Sequence, residues 1–184
     1  AIISISDLAF ELDLNPKQQE YLKVIRSSAK ALMVVINDIL DFSKIEAGKL
    51  HLVSKPFKLR DLLDEVLDFF RGNIAQKDIE MIIDTGPNVP VSLVGDSSRL
   101  WQVLINLINN AFKFTEKGEI ILKITNVDQK EKGVRLLFKF SDTGIGIPTD
   151  KLVDLFKAFS QVDSTTSRKY SGTGLGLAIS QNLV

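Results

Sequence analysis

Asn106-Leu107-Ile108-Asn109-Asn110-Ala111-Phe112-Lys113-Phe114-Thr115 closes an apolar-periodic run that begins near Ser97. The spacing predicts a helix over 97–114, with Asn106, Asn110 and Lys113 on one face at steps of four and three. An asparagine carbonyl is a neutral hard oxygen suited to a Mg²⁺ ion that bridges nucleotide phosphates, and a nearby lysine answers phosphate charge. The competing reading is that these asparagines simply face water. Two glycine-containing stretches further along tip the balance. Asp142-Thr143-Gly144-Ile145-Gly146-Ile147-Pro148 follows a strand pattern ending near Phe140. A carboxylate there can accept from an exocyclic amine such as that of adenine, and the alternate glycines let backbone approach a ligand. Gly172-Thr173-Gly174-Leu175-Gly176-Leu177 opens a final helical pattern, where free N–H groups and the helix dipole favour phosphate. It is neither the dinucleotide fingerprint nor a Gly-x-x-x-x-Gly-Lys-Ser/Thr phosphate loop.

Outward from these stretches the chain divides in two. Tyr21, Ile25, Ser28, Leu32, Val35, Ile39 and Phe42 advance by alternating steps of four and three, the spacing of a coiled-coil seam. Asn15-Pro16 supplies an N-cap and a first-turn proline, so residues 1–46 read as a helical hairpin. Ile36, Leu40 and Ile45 add a second apolar row, too wide for one short partner helix, and a dimeric four-helix bundle would bury both. Gly48 ends the second helix, and residues 52–56 read as an extended connection ahead of Pro56. The expected domains are a partial hairpin at 1–50, a linker at 51–58 and a second domain at 59–184. Within it the patterns predict an amphipathic helix through residues 59–70, a strand at 79–83, the helix at 97–114 and strands at 119–127 and 134–140. A charged hairpin loop at 128–133 joins the last two. Helical signals return at 150–159 and from Thr173. Phe156 and Phe159 read as the core face of the first of these, and 160–171 as a mobile lid carrying Arg168 and Lys169. The fold class is α+β: a helical hairpin, then an α/β sandwich with a mixed sheet.

Composition sets the outer limits. Lys plus Arg and Asp plus Glu both number 23 among 184 residues, so no global basic field exists to hold nucleic acid or an anionic membrane. There are no cysteines, which excludes disulfides, thiolate metal sites and a cysteine nucleophile. No apolar run approaches the roughly 20 residues needed to span a bilayer, so this segment is expected to be cytoplasmic without direct membrane contact. The opening without Met and the close in mid-pattern at Val184 read as cuts from something longer.

The ordered set of 106–115, 142–147, Leu155-Phe156-Lys157-Ala158-Phe159 and 172–177 resembles the N, G1, F and G2 boxes of the sensor histidine kinases. Their ATP-binding fold is shared with gyrase-type, heat-shock chaperone and mismatch-repair ATPases. Ile39-Leu40-Asp41-Phe42-Ser43-Lys44-Ile45-Glu46-Ala47-Gly48-Lys49-Leu50 looks like the end of the second helix of their dimerisation and phosphotransfer hairpin. Gly95-Asp96 with Arg99-Leu100 is similarly typical, and the likeness runs essentially end to end. It implies that Asn110 ligates Mg²⁺ with Asn106 close by, that Lys113 lies near the phosphates, and that Phe114 lies against adenine. By the same resemblance Asp142 accepts from the adenine amine, Gly144, Gly146 and Ile147 border the base, and Arg168, Gly172, Thr173, Gly174, Leu175, Gly176 and Leu177 border the phosphates. The implied activity is autophosphorylation of a homodimer from Mg-ATP, followed by transfer to an aspartate of a response regulator receiver domain. The wording of the boxes is similar to kinases that often carry the receiver in the same polypeptide.

One departure stands out. The family's acceptor sits in a His-Glu-x-x-Thr-Pro-like motif on the first hairpin helix, and Ala1-Ile2-Ile3 looks like the residues just after it. The single histidine, His51, follows the second helix and reads as part of the linker. Acceptor and adjacent acid are therefore expected before Ala1, leaving no catalytic residue of that kind here and no autophosphorylation by this chain alone. Two alternatives stand beside the kinase reading. A non-catalytic pairing module has no need of Asn110, Asp142 and the glycines. A clamp ATPase lacks its water-activating glutamate, since 99–105 contains no acid.

Overall fold

The computed structural model describes residues 2–10, 12, 14–130, 133–160 and 173–184. The chain falls into two compact units, Ala1–Leu50 and His51–Val184.

The first unit holds α1 (Ile2–Ala9) and α2 (Pro16–Glu46). Asn15 caps α2 in a reciprocal box: its Oδ1 accepts from the Gln18 N–H at 2.9 Å, and Gln18 Oε1 accepts from the Asn15 N–H at 3.0 Å. Gly48 closes the helix at φ +62°, with the Lys49 N–H returning to the Lys44 carbonyl at 2.8 Å. Asp7 of α1 pairs with Arg26 of α2 at 2.9 Å. The short α1 leaves much of the predicted seam and of the second row bare: Tyr21, Ile25, Leu32 and Ile39 of the first and Ile36 and Leu40 of the second are all exposed.

The second unit holds β1 (Lys55–Lys58), α3 (Leu59–Gln76), β2 (Asp78–Thr85), β3 (Ser92–Gly95), α4 (Ser97–Phe114), β4 (Lys117–Lys130), β5 (Gly133–Asp142), a 3₁₀ helix (Thr149–Asp154) and α5 (Gly176–Leu183). β2 pairs parallel to β4, and β4 pairs antiparallel to β5, giving the expected mixed sheet. Ile120, Leu122 and Ile124 alternate inward along β4 and are fully buried, while Lys123 faces out to Asp84 at 3.2 Å. The inward side chains pack with Leu59, Leu63, Val66 and Phe70 of α3 and with Leu104, Ile108 and Phe112 of α4. Each helix contributes residues at steps of three and four, so one apolar stripe per helix meets one sheet face.

Three expectations need revision. The extended stretch before Leu59 is not simply a connection, because Lys55–Lys58 pairs antiparallel with Ser92–Gly95 as a two-stranded ribbon. Four-residue strands are too short to show a period. The loop expected at 128–133 shortens, since β4 runs to Lys130 and faces Gly133, with a bulge between Asn126 and Asp128. The helix expected at 150–159 is a 3₁₀ helix followed by turns. The Leu155, Lys157 and Ser160 N–H groups each bond three residues back, and Phe159 sits at φ +62°. Phe156 and Phe159 are 45% and 64% exposed, so they do not form a core face.

Asp96 ties the start of the second unit to α4. One carboxylate oxygen accepts from the Arg99 N–H at 3.1 Å, capping the helix, and the other accepts from the Val53 N–H at 2.9 Å. The Val53 N–H, helped by the bond and charge from Arg99 and by the Ser98 N–H, holds the Asp96 carboxyl below its ordinary range in spite of the opposing effect of burial. A depressed folded pKa means stability that is present above the unfolded value and lost as pH falls through the folded one. Asp96→Ala is expected to cost about 1–2 kcal/mol in urea unfolding at pH 7. The gap from the wild type should narrow once pH drops below 3.8, the ordinary carboxylate value. A gap that stays constant from pH 7 to pH 3 would show that the carboxylate charge is not what holds the cap.

Candidate functional site

The C-terminal end of α4 and the turn after β5 are fastened together by backbone. The Ile145 N–H donates to the Phe114 carbonyl at 3.2 Å, and Thr143 bonds reciprocally with Glu119: N–H to carbonyl at 3.1 Å, and Glu119 N–H to Thr143 Oγ1 at 3.0 Å. Asp142 folds back on its own turn, its Oδ1 accepting from the Gly144 N–H at 2.9 Å. The carboxylate is exposed, and among the described residues its second oxygen has no partner. Gly144 has no room for a side chain: a Cβ there would stand 2.6 Å from the Phe114 carbonyl oxygen, 2.7 Å from Asp142 Oδ1 and 2.9 Å from Thr115 Oγ1. Its glycine is thus required by the protein's own oxygens, before any ligand is considered. Gly146 is required for a different reason, its φ of +71° in open space.

On α4 the three predicted polar residues share a face but differ in state. Asn106 is engaged with α5, its Nδ2 donating to the Gly176 carbonyl at 3.2 Å and to Ser180 Oγ at 3.4 Å. Gly176 accommodates it, since a Cβ there would lie 3.3 Å from Asn106 Cγ. Asn110, one turn on, is half-buried, and among the described residues its amide has no hydrogen-bond partner. Lys113 is half-buried as well, its ammonium 5.0 Å from the centre of the Phe114 ring, and burial pushes its pKa down. Among the described residues Lys113 has no ion pair, and an anion placed beside it would favour its charged form.

The glycine-rich opening of α5 is split by what is described. Thr173 Oγ1 accepts from the Leu175 N–H at 3.2 Å. Gly174, at φ +70°, packs so closely on Phe159 and Ser160 that a Cβ would meet their backbone at 3.0 Å, and its carbonyl accepts from the Phe159 N–H at 3.1 Å. The Leu175 side chain is fully buried in packing, so only its backbone remains available to a ligand. Leu177 is half-buried and Ile147 is exposed. Arg168, Lys169 and Gly172, with most of the predicted lid, lie outside the described residues.

Two residues escaped sequence reasoning. Lys77 donates from Nζ to the Phe112 and Thr115 carbonyls, at 2.5 and 3.0 Å, closing the end of α4 from a position 35 residues earlier. No spacing rule signals such a contact. Thr115 is fully buried, and among the described residues its hydroxyl has no partner. An unpaired buried hydroxyl is invisible until the surrounding atoms are placed.

Comparison with known proteins adds independent findings. Residues 95–184 match the model of the histidine kinase-, DNA gyrase B- and HSP90-like ATPases, and residues 1–48 match that of the His Kinase A (phospho-acceptor) domain. The chain is 45% identical over 183 residues to the sensor histidine kinase GacS of Pseudomonas protegens, covering all of this chain and 20% of that protein, so it spans about a fifth of that relative's length. Among solved structures it is similar to full-length ShkA in complex with AMPPNP, with a TM-score of 0.77 and 31% identity over 99% of this chain and 36% of that one. It is also similar to the histidine kinase ThkA in complex with the response regulator protein TrrA, with a TM-score of 0.58 and 25% identity over 100% of this chain and 49% of that one. Among the described residues, no helix is long and apolar enough to cross a membrane.

Proposed function

The chain belongs to the sensor histidine kinases, the phosphotransferases of two-component signal transduction, and from that premise we propose that its second unit binds Mg-ATP between the α4 face and the turn after β5. The observation that carries this reading is the state of the α4 face. A half-buried Asn110 amide without a partner among the described residues and a partly desolvated Lys113 lie within one turn of each other, at the helix end fastened to the Asp142 turn.

In this reading the free oxygen of Asp142 accepts from the adenine amine and Phe114 lies against the base, with Gly144, Gly146 and Ile147 bordering it. Lys113 faces the phosphates, whose charge offsets the cost of keeping its ammonium half-buried. Asn110 would hold Mg²⁺, which would supply charge neutralisation to the bridged phosphates. Asn106 keeps the start of α5 against α4, and residues 172–177, with Arg168, border the phosphates. Phosphoryl transfer then needs mainly positioning and charge neutralisation from the protein.

The domain division proposed is 1–50 for the dimerisation and phosphotransfer hairpin and 59–184 for the ATP-binding domain, with 51–58, expected as a linker, counted with the latter because β1 pairs with β3 and Val53 bonds Asp96. The bare seam of α2 supports homodimerisation through a four-helix bundle. In the complete protein the γ-phosphoryl passes to a hairpin histidine that these 184 residues do not contain, their one histidine being His51. The group then passes to an aspartate of a receiver domain, in cis or in trans, in the cytoplasm. The similarity to ThkA, solved with a response regulator, supports that last partner.

Calorimetric titration with a non-hydrolysable ATP analogue, with and without Mg²⁺, tests the proposal. Binding should strengthen with Mg²⁺, and Asn110→Ala should weaken it about 30-fold in Mg²⁺ while changing it little without, the worth of one ligand to a charged partner. Binding that ignores both Mg²⁺ and Asn110 would sink the assignment.

A further inference from the structure

Resting on the nucleotide reading of this helix end, we infer that Lys77 is a positioning residue of that site, its ammonium making the C-terminal end of α4 acceptable to the phosphates that Lys113 faces. The ammonium donates to the Phe112 carbonyl at 2.5 Å and to the Thr115 carbonyl at 3.0 Å, the one just before Lys113 and the other two residues after it. Phe114, between them, gives its carbonyl to the Ile145 N–H at 3.2 Å. The end of α4 is thus held from two directions: by a neutral backbone donor of the Asp142 turn, and by a positive charge that stands just past α3. Local capping does not call for that charge, since a helix C-terminus is ordinarily closed by the backbone of the residues that follow it.

The sign of the helix end gives the charge a use. A helix closes on carbonyls that no N–H of its own reaches, and they carry about half a negative charge. α4 is 18 residues long, and its last turn presents Lys113. A polyphosphate brought to Lys113 therefore meets repulsion from the very helix that presents the lysine. The Ile145 N–H satisfies a carbonyl without bringing a charge, whereas the Lys77 ammonium more than offsets that half charge. Lys113 does not serve in its place, because its own ammonium lies over the Phe114 ring and not on a carbonyl. Among the described residues Lys77 makes no ion pair, so no carboxylate partner cancels what it supplies.

The test measures ADP by calorimetry, without Mg²⁺ so that its phosphates keep their full charge, and adenosine by ligand-observed NMR, on the wild type and on Lys77→Met, Lys77→Gln and Lys77→Arg. Lys77→Met, with neither donor nor charge, should bind ADP about tenfold more weakly at low salt, the size expected of a cation at a partly buried helix C-terminus. Adenosine, which has no phosphate, should stay within about twofold of the wild type. Raising salt to about 0.5 M should narrow the ADP gap at least about twofold, because it screens the attraction that the variant has lost. Lys77→Gln, which keeps an N–H donor without the charge, should fall with Lys77→Met, and it serves the same comparison if Lys77→Met does not fold. Lys77→Arg should recover the wild-type affinity to within about threefold. An ADP loss that adenosine shares equally, or that ignores salt, marks a purely structural cap and overturns the inference, as does unchanged ADP binding in both uncharged variants. Each of those results leaves the nucleotide reading standing, whereas failure of the wild type to bind ADP at all overturns both.

Discussion

Asp142→Asn is expected to weaken binding of a non-hydrolysable ATP analogue about 100-fold while leaving the fold intact. The two halves of that expectation come from the two oxygens of one carboxylate. Oδ1 accepts from the Gly144 N–H at 2.9 Å, and the carbonyl oxygen of asparagine makes the same bond, so the turn that Gly144 and Ile145 hold against Phe114 survives. Asp142 is also exposed, and no buried charge is lost. The other oxygen becomes an NH₂ group. In the proposed site it would face the adenine amine, setting donor against donor where an ionised acceptor stood. Losing a hydrogen bond to a charged group costs about 1.5–3 kcal/mol, and the new repulsion places the effect at the upper end, about 100-fold. Calorimetry gives the affinity, and a urea midpoint within about 0.5 kcal/mol of the wild type shows that the fold was spared. Binding within threefold of the wild type would remove Asp142 from the adenine site.

How far these residues could be read without coordinates depended on whether their role is local or assembled. The face of α4 and the alternation of β4 are written in periods of 3.6 and 2, and the sequence placed both. Asn15 with Gln18, and Gly48, are equally legible because a cap is a matter of neighbours three or four residues apart. What escaped spans longer distances. β1 and β3 are four residues each and exist only by pairing with one another across about 37 positions. Lys77, just past the end of α3, closes α4 from a position 35 residues away, and the Thr115 orphan is defined by what fails to surround it. At 150–159 the apolar spacing misled, because a tight 3₁₀ helix and a left-handed Phe159 leave Phe156 and Phe159 outward. Gly144 is the instructive intermediate case. A glycine's importance was evident from its place beside Asp142, but the reason expected, room for a ligand, is second to room for three oxygens of the protein itself.

That reason makes Gly144→Ala the severest single methyl the second unit can receive at this turn. In open space the substitution would stabilise by about 0.4–1 kcal/mol, by restricting the unfolded chain. Here the new methyl would meet the Phe114 carbonyl oxygen at 2.6 Å and two side-chain oxygens at 2.7 and 2.9 Å. Asp142 and Thr115 can swing away, but the Phe114 carbonyl belongs to the last turn of α4 and already accepts from the Ile145 N–H. Relief therefore requires the turn to lift from the helix end, breaking that bond and withdrawing Asp142 from its place. Overpacking of this kind costs about 2–3 kcal/mol, or a fall of roughly 6–10 °C in Tm, and nucleotide binding should drop at least tenfold with it. Gly146→Ala is the internal comparison, since φ there is +71° with nothing within 4 Å. Its cost is conformational alone, about 1–2 kcal/mol. If the two variants melt together, backbone conformation and not crowding explains both glycines, and the fastening of the Asp142 turn to α4 is weaker than its hydrogen bond and packing imply. If Gly144→Ala melts lower and loses nucleotide more than in proportion, the seat of the adenine site is the contact between that turn and the end of α4.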